Sequence, residues 1–251
     1  MLDTVPAESR LRVHADRCAR WAGLVAGVVV AQLLARRDSD DLGAGVLYAL
    51  AAFGLCAVGG VLLGDALAPR AREAVRTAGL TPRRVRDQVP PRMTWLLLLQ
   101  AASLVLLLTV TTAVASPDDL GRAGRALAVT CGGVTEVHSP WPGSFYAVPI
   151  GVSLAVGTAV CAWALRRIAH RPGEEQERRD RSSAITAAWG LLVSTQLLGV
   201  ASTTSGALTS TTCDGGIGTA AVVLLAPLVL LALFTVAWSL FTVLAPRTAR
   251  R

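Results

Sequence analysis

The residue types that most often carry out chemistry are scarce in this chain and widely separated. The three histidines, His14, His138 and His170, lie in three different segments, and no HExxH or paired-cysteine spacing indicates a zinc site. The chain also has no GxxxxGK[ST] motif, so we do not expect it to bind ATP through a P-loop of its own. The sequence therefore predicts a protein that is not an enzyme and that carries no cofactor or metal.

One acidic pair, Asp118 and Asp119, is the nearest candidate for a metal-binding cluster. It directly follows Pro117, and acidic residues in such a position often cap the first turn of a helix. The pattern favours a capping turn over a metal site. It also predicts a short amphipathic helix over Asp118–Val129.

Polar residues inside long apolar runs are the second group of candidates, because such groups are costly in lipid and are often functional. They are Gln32, Asp65, Gln100 and Gln196. Asp65 lies near the end of its run, where Arg70 or Arg72 could pair with it, so an interfacial ion pair is favoured. The glutamines are expected to form hydrogen bonds between helices, and a polar translocation path is the alternative.

The five cysteines include one pair suited to a disulfide. Cys131 ("VTCGG") and Cys213 ("TTCDGG") have similar glycine-rich flanks and fall in loops that the arginine pattern below assigns to the outside. An oxidising exterior permits a disulfide, and closing a loop of about 80 residues would restrict the unfolded chain by roughly 4 kcal/mol. Two free thiols are the alternative.

Most of the chain consists of long apolar runs, and these determine where the candidate residues lie. Hydrophobic residues make up 53% of the chain and charged residues only 16%, whereas a soluble domain carries about 25% charged residues. A helix crosses the bilayer core in about 20 residues, and runs this long without alternation exclude a β-barrel. The sequence therefore predicts an all-α bundle of six transmembrane helices, over Trp21–Ala35, Leu42–Leu67, Met93–Ala115, Phe145–Leu165, Ala184–Ser202 and Ile217–Ala245.

The arginines predict the orientation of these helices. All 24 basic residues are arginine, and 20 of them lie in segments 1–20, 69–92, 166–182 and 246–251. Cytoplasmic segments retain the excess of positive charge, so these four are predicted inside. Segments 1–20 and 246–251 flank a membrane domain at 21–245, and segments 69–92 and 166–182 are loops within that domain. Arginines at the ends of apolar runs, rather than along one face, argue against nucleic-acid binding. The absence of lysine suggests an actinobacterial source, and hence a bacterial plasma membrane.

The basic stretch "REAVRTAGLTPRRVRDQVPPR", residues 72–92, has an Arg–Glu start, an "AGLTPRRVR" turn and then a new span. It resembles the cytoplasmic loop of FtsX-like ABC permeases, which lies against the nucleotide-binding subunit and transmits its movement. The resemblance implies that a cytoplasmic ATPase docks here. The residues implied in docking are Arg72, Glu73, Arg76, Gly79, Thr81, Arg83, Arg84 and Arg86.

Two functions remain open from the sequence. The first is a permease-like, non-ATPase subunit of a transport system. The second is a non-transport membrane protein, such as a sensor or assembly factor, with a disulfide-linked outer face. Small-residue spacings, Gly23-x3-Gly27 and Gly60-x3-Gly64, allow close helix contact either within one chain or in a homo-oligomer. The lipid bilayer is the partner common to both interpretations.

Overall fold

The computed structural model describes residues 7–36, 44–67, 91–170, 175–211 and 216–245, which form six helices and one antiparallel hairpin. The helices are α1 (Ala7–Arg36), α2 (Ala44–Leu67), α3 (Pro91–Ala113), α4 (Ser144–Ala169), α5 (Glu175–Ser210) and α6 (Ile217–Leu244), and the strands are β1 (Leu127–Cys131) and β2 (Val134–His138). All six helices contain a stretch long and apolar enough to cross a bilayer. The chain is therefore a multi-pass membrane protein built as an all-α bundle, as predicted.

Two helices extend well beyond the apolar runs that identified them. α1 begins at Ala7 rather than near Trp21, and α5 runs from Glu175 to Ser210 rather than over 184–202. At the start of α5, Arg179 pairs with Glu175 one turn earlier, and such pairs stabilise a helix in water. An apolar run marks only the part of a helix that lipid surrounds, so it underestimates the length of the helix.

α1 and α2 pack through their glycines. A Cβ on Gly23 would lie 2.5 Å from the Cα of Gly60, and a Cβ on Gly64 would lie 2.5 Å from Oδ1 of Asp16. Only glycine permits backbones to approach this closely. The two small-residue patterns therefore face each other within one chain.

α5 lies at the centre of the bundle and contacts α2, α3, α4 and α6. Nearly all of its most apolar stretch is buried, whereas most of α6 faces outward. Leu192 of α5 fits against Gly54 of α2 and Gly157 of α4, and Gly199 of α5 accommodates Leu50 of α2. Glycines on α2, on α4 and on α5 itself let these helices pack closely, which explains how α5 can be the most enclosed of the described helices.

The connection between α3 and α4, residues 114–143, folds over the end of the bundle and is called the hairpin cap below. The amphipathic helix predicted over Asp118–Val129 is wrong, because β1 pairs with β2 from Leu127↔His138 to Cys131↔Val134. Gly132 and Gly133 form the turn with φ of 55° and 85°. Two successive residues with positive φ match the twist of a tight hairpin, and β-branched residues flank them.

The hairpin cap is fixed to the ends of α3 and α5. The indole Nε1 of Trp141 donates to Thr111 O at 2.8 Å, and the Thr111 hydroxyl donates to Pro142 O at 2.7 Å. Leu127 and Trp141 pack with Ala207 of α5 in a small apolar cluster. The cap is thus part of the bundle rather than a separate domain.

Candidate intramembrane polar site

Buried polar side chains of α3, α4, α5 and α6 form the candidate site. Most hydroxyls on α5 need no other helix, because they donate to a carbonyl one turn earlier in α5. This holds for Thr186, Ser194, Thr195 and Thr204. A glutamine amide has two N–H donors and a carbonyl acceptor, so a buried glutamine must find its partners on a neighbouring helix.

Gln100 of α3 is fully buried and binds α6. Its Nε2 donates to Thr235 Oγ1 at 2.7 Å and to Leu231 O at 3.3 Å. The Thr235 hydroxyl itself donates to Leu231 O at 2.8 Å, so Thr235 Oγ1 must accept the bond from Gln100. These contacts use both amide hydrogens of Gln100 and fix which way its amide group points.

One polar atom of Gln100 and one of a nearby residue on α6 have no hydrogen-bond partner among the described residues. They are Oε1 of Gln100 and Oγ of Ser239, one turn beyond Thr235 on α6, and both are buried. Ser239 Oγ lies against α5, 2.7 Å from where a Cβ on Gly190 would stand. We call the set Gln100, Gly190, Thr235 and Ser239 the α3–α6 site. Leaving a buried polar group unpaired costs about 1–3 kcal/mol, so packing alone does not account for these two atoms.

A second polar contact joins α5 to α4. Nε2 of Gln196 donates to Ser153 Oγ at 2.7 Å, and the Ser153 hydroxyl donates to Ile150 O at 2.8 Å. Oε1 of Gln196 is buried and has no partner within the part of the chain that the structure describes. Three neighbours of the central helix, α3, α4 and α6, therefore take part in glutamine contacts that leave a carbonyl oxygen unused.

The helices that carry the partners of these glutamines both contain an internal proline. Pro149 lies one turn before Ser153 in α4, and Pro227 lies two turns before Thr235 in α6. A proline inside a helix removes a backbone hydrogen bond and bends the helix at that point. In α4 and in α6, the residue that contacts a glutamine therefore follows a proline at which a backbone hydrogen bond of the helix is missing.

An ion pair joins α2 to α5 near one end of the bundle. Nη1 of Arg181 lies 3.4 Å from Oδ1 of Asp65, and the two side chains are only 16% and 12% exposed. Arg181 also pairs with Glu177, one turn earlier on α5. Arg70 and Arg72, the partners that the sequence suggested for Asp65, lie outside the described residues.

Asp118 caps a turn within the hairpin cap. Its Oδ1 accepts from the backbone N–H groups of Leu120 at 3.0 Å and Arg122 at 2.8 Å, and its Oδ2 accepts from Arg122 Nε at 2.7 Å. Desolvation by burial acts to raise the pKa of Asp118, but the hydrogen bonds and positive charge of Arg122 outweigh it. The pKa is therefore lowered. Asp118 therefore caps a turn, as the sequence favoured, but this turn does not begin the helix that was expected after it.

The structure brings only some of the predicted residues together. Gln32 is exposed on α1, away from the buried contacts of Gln100 and Gln196. The side chain of Cys131 and all of Cys213 lie outside the described residues, and so does the predicted docking loop with Arg72, Glu73, Arg76, Gly79, Thr81, Arg83, Arg84 and Arg86. Within the described ranges, no group of three His, Cys, Asp or Glu side chains could hold a metal ion.

Ser153, Thr235 and Ser239 were not predicted as site residues from the sequence. Their signal is a hydroxyl within an otherwise apolar run, but serine and threonine commonly bond within their own helix. Which hydroxyl meets which glutamine depends on how α4 and α6 rotate against their neighbours. A single sequence does not contain that rotation.

None of the protein-family models, curated proteins or solved structures that were compared with this chain matches it.

Proposed function

We propose that this chain is the permease-like, non-ATPase membrane subunit of a transport system. The observation that carries the proposal is the pair of buried glutamine contacts around α5. Gln100 and Gln196 each leave a carbonyl oxygen without a described partner. A hydrogen bond between membrane helices contributes about 0.6 kcal/mol on average, which is less than the cost of the unpaired carbonyl. Retaining such groups within the bundle suits the path of a polar solute.

In this proposal α5 is the fixed part of the transporter, and α4 and α6 are the moving parts. α5 is enclosed by its neighbours and is tied to α2 by the Asp65–Arg181 ion pair. α4 and α6 carry the partners of the glutamines and contain Pro149 and Pro227. Transporters commonly alternate access by moving one group of helices against another around a central site. Here α4 and α6 would move against α5.

The resemblance of residues 72–92 to the FtsX-like loop supplies the proposed energy source. This loop follows α2 directly, and Asp65 lies near the end of α2, where it pairs with Arg181. Movement of an ATPase docked on the loop would therefore reach the central helix through one ion pair. The proposal places the loop and both termini on the cytoplasmic face of an actinobacterial plasma membrane.

Co-purification from the native membrane tests this proposal. We expect a P-loop ATPase to accompany the wild-type protein and to be lost when Arg83, Arg84 and Arg86 are all changed to glutamate. The matched control changes three arginines of the C-terminal tail, Arg247, Arg250 and Arg251, to glutamate, and it should retain the ATPase. Absence of an ATPase from the wild-type preparation, or its retention by the loop variant with unchanged topology, contradicts the proposal.

A second candidate function is that of a sensor or assembly factor acting through the hairpin cap. The observation that favours it is the firm attachment of the cap through Trp141 and Thr111, while Val134 beside the hairpin turn is exposed. This version depends on the predicted Cys131–Cys213 disulfide. Cys131→Ser should change the mobility of the protein on non-reducing gels, whereas Cys18→Ser should not. Unchanged mobility of the Cys131→Ser variant counts against this function.

A further inference from the structure

We infer that the α3–α6 site binds the O–H or N–H groups of a small polar solute and discriminates against anions. The inference rests on the proposed transport function and adds to it the chemical class of the solute. It follows from which hydrogen-bonding groups of the site remain unused, and from the lack of charged residues in the adjoining described parts of α3, α5 and α6.

The unused groups of the site favour a ligand that donates hydrogen bonds. Both amide hydrogens of Gln100 and the hydroxyl hydrogen of Thr235 are already engaged. What remains is the carbonyl oxygen of Gln100, which can only accept, and the hydroxyl of Ser239, which can accept or donate. A ligand with O–H or N–H groups satisfies both, whereas a carboxylate or phosphate would face the Gln100 carbonyl with an oxygen of its own.

The described parts of α3, α5 and α6 that adjoin the site carry no positive charge that would attract an anion. α3 from Met93 onward, α5 from Ala184 onward and all of α6 carry no charged residue. The ion pair of Arg181 and Asp65 lies at one end of the bundle and is internally neutral. An anion in this low-dielectric environment would lose its hydration without gaining a counter-charge, so neutral donors and small ammonium groups are favoured.

Entry to the site requires movement of α6. Gln100 and Ser239 are fully buried in the present arrangement, so a solute cannot reach them while α6 is in place. α6 is the most outward-facing helix of the six described and contains Pro227 two turns before Thr235. A swing of α6 about Pro227 would open the site and leave the contacts of α5 with α2 unchanged.

Binding of radiolabelled solutes to the full-length protein in lipid nanodiscs tests the inference. The probes are glycerol, a neutral O–H donor; ethanolamine, an ammonium with an O–H group; and acetate, an acceptor. We expect glycerol or ethanolamine to bind saturably and acetate not to bind, and comparison of the two donors shows whether positive charge adds affinity. Removal of one hydrogen-bonding group should raise Kd about tenfold.

Three variants locate the binding. Ser239→Ala removes only the unused hydroxyl, and Gln100→Met removes the amide while keeping its length. The control, Gln32→Met, makes the same exchange at the exposed glutamine of α1. We expect weaker binding in the first two and wild-type binding in the control, with helical content and the thermal midpoint of Ser239→Ala close to wild type.

Three outcomes would overturn the inference: acetate binding as tightly as the donors, equal binding by Ser239→Ala and wild type, or binding of none of the three solutes. These results differ from failure of the proposed function. If no solute binds while the ATPase still co-purifies, the solute class is wrong and the permease proposal stands. If a donor binds at the site but no ATPase is found, the ATPase-driven function is wrong and the site remains.

Discussion

At the scale of single residues, Asp118 makes the hairpin cap sensitive to acid. Because its pKa is lowered in the folded cap, the carboxylate stabilises the turn at pH values above the ordinary aspartate range. That stabilisation is lost as the pH falls through the folded-state pKa. We expect the hydrogen-exchange protection factor of the Arg122 amide to be constant near neutral pH and to fall in acid.

Substitution of Asp118 should remove this pH dependence. In Asp118→Ala, the Arg122 amide loses its side-chain acceptor, so its protection factor should be low at every pH. Asp119→Ala, at the exposed neighbouring carboxylate, should follow the wild-type curve. A wild-type curve without the acid decrease would show that the carboxylate does not stabilise the turn.

The role of a residue could be predicted where it depends on neighbours in the sequence. It could not be predicted where it depends on how the helices pack. The capping role of Asp118 follows from its position after Pro117 and needs no distant partner. Gln100 and Gln196 were recognised because an amide in an apolar run must find a hydrogen bond. Their partners, Thr235 and Ser153, depend on helix rotation, and the pairing of Asp65 with Arg181 crosses more than a hundred residues of chain.

At the scale of elements, the α1–α2 contact depends on Gly60. A Cβ there would lie 2.6 Å from the Cα of Gly23, so Gly60→Ala forces two backbones apart. Overpacking of this kind costs about 1–3 kcal/mol. A Cβ on Gly59 meets no described atom within 4 Å, and alanine is the better helix former. We expect Gly60→Ala to lower the thermal midpoint in lipid, and Gly59→Ala to leave it unchanged or raise it.

The packing of Leu192 against α2 and α4 leads to a second prediction. Leu192 is fully buried and contacts Gly54 of α2 and Gly157 of α4, so Leu192→Ala leaves a cavity among three helices. A buried Leu→Ala change costs about 2–5 kcal/mol. Leu224→Ala, on the outward face of α6, should cost little, since lipid fills the space. Equal costs for the two variants, measured by reversible unfolding in mixed micelles, would place α5 at the lipid surface.

The number of helices could be predicted from the sequence, but the lengths of some of them could not. Six apolar runs gave six helices, because lipid leaves the backbone no other way to satisfy its hydrogen bonds. The hairpin cap was missed because Asp118 suggested a helix start, whereas Gly132 and Gly133, with β-branched residues on both sides, favour a tight turn. The lengths of α1 and α5 were underestimated because their ends leave the apolar run but not the helix.

At the scale of the whole molecule, the burial of α5 could not be predicted from hydropathy. All six helices are apolar enough to face lipid, so hydropathy does not show which of them is enclosed. The one signal was the cluster Ser194, Thr195 and Gln196, which makes the fifth span the most polar. Polar groups in lipid prefer the interior of a bundle, and this span is indeed at the centre.

The orientation of the whole bundle is the last prediction, and the docking proposal depends on it. The arginine distribution predicts that the hairpin cap lies outside and that the start of α5 lies in the cytoplasm. In a background with the native cysteines changed to serine, Val134→Cys should react with a membrane-impermeant maleimide in intact cells. Gln176→Cys, at an exposed position near the opposite end, should react only after permeabilisation.

The reverse labelling pattern would contradict more than the orientation. α3 and α5 begin at the same end of the bundle, because the successive spans α3, α4 and α5 alternate in direction. If Gln176→Cys reacted from outside, residues 72–92 would also be outside, where no cytoplasmic ATPase can dock. Reaction of Val134→Cys alone keeps the basic loop on the side that contains ATP, and that placement is a precondition for any ATPase-driven movement of α4 and α6 against α5.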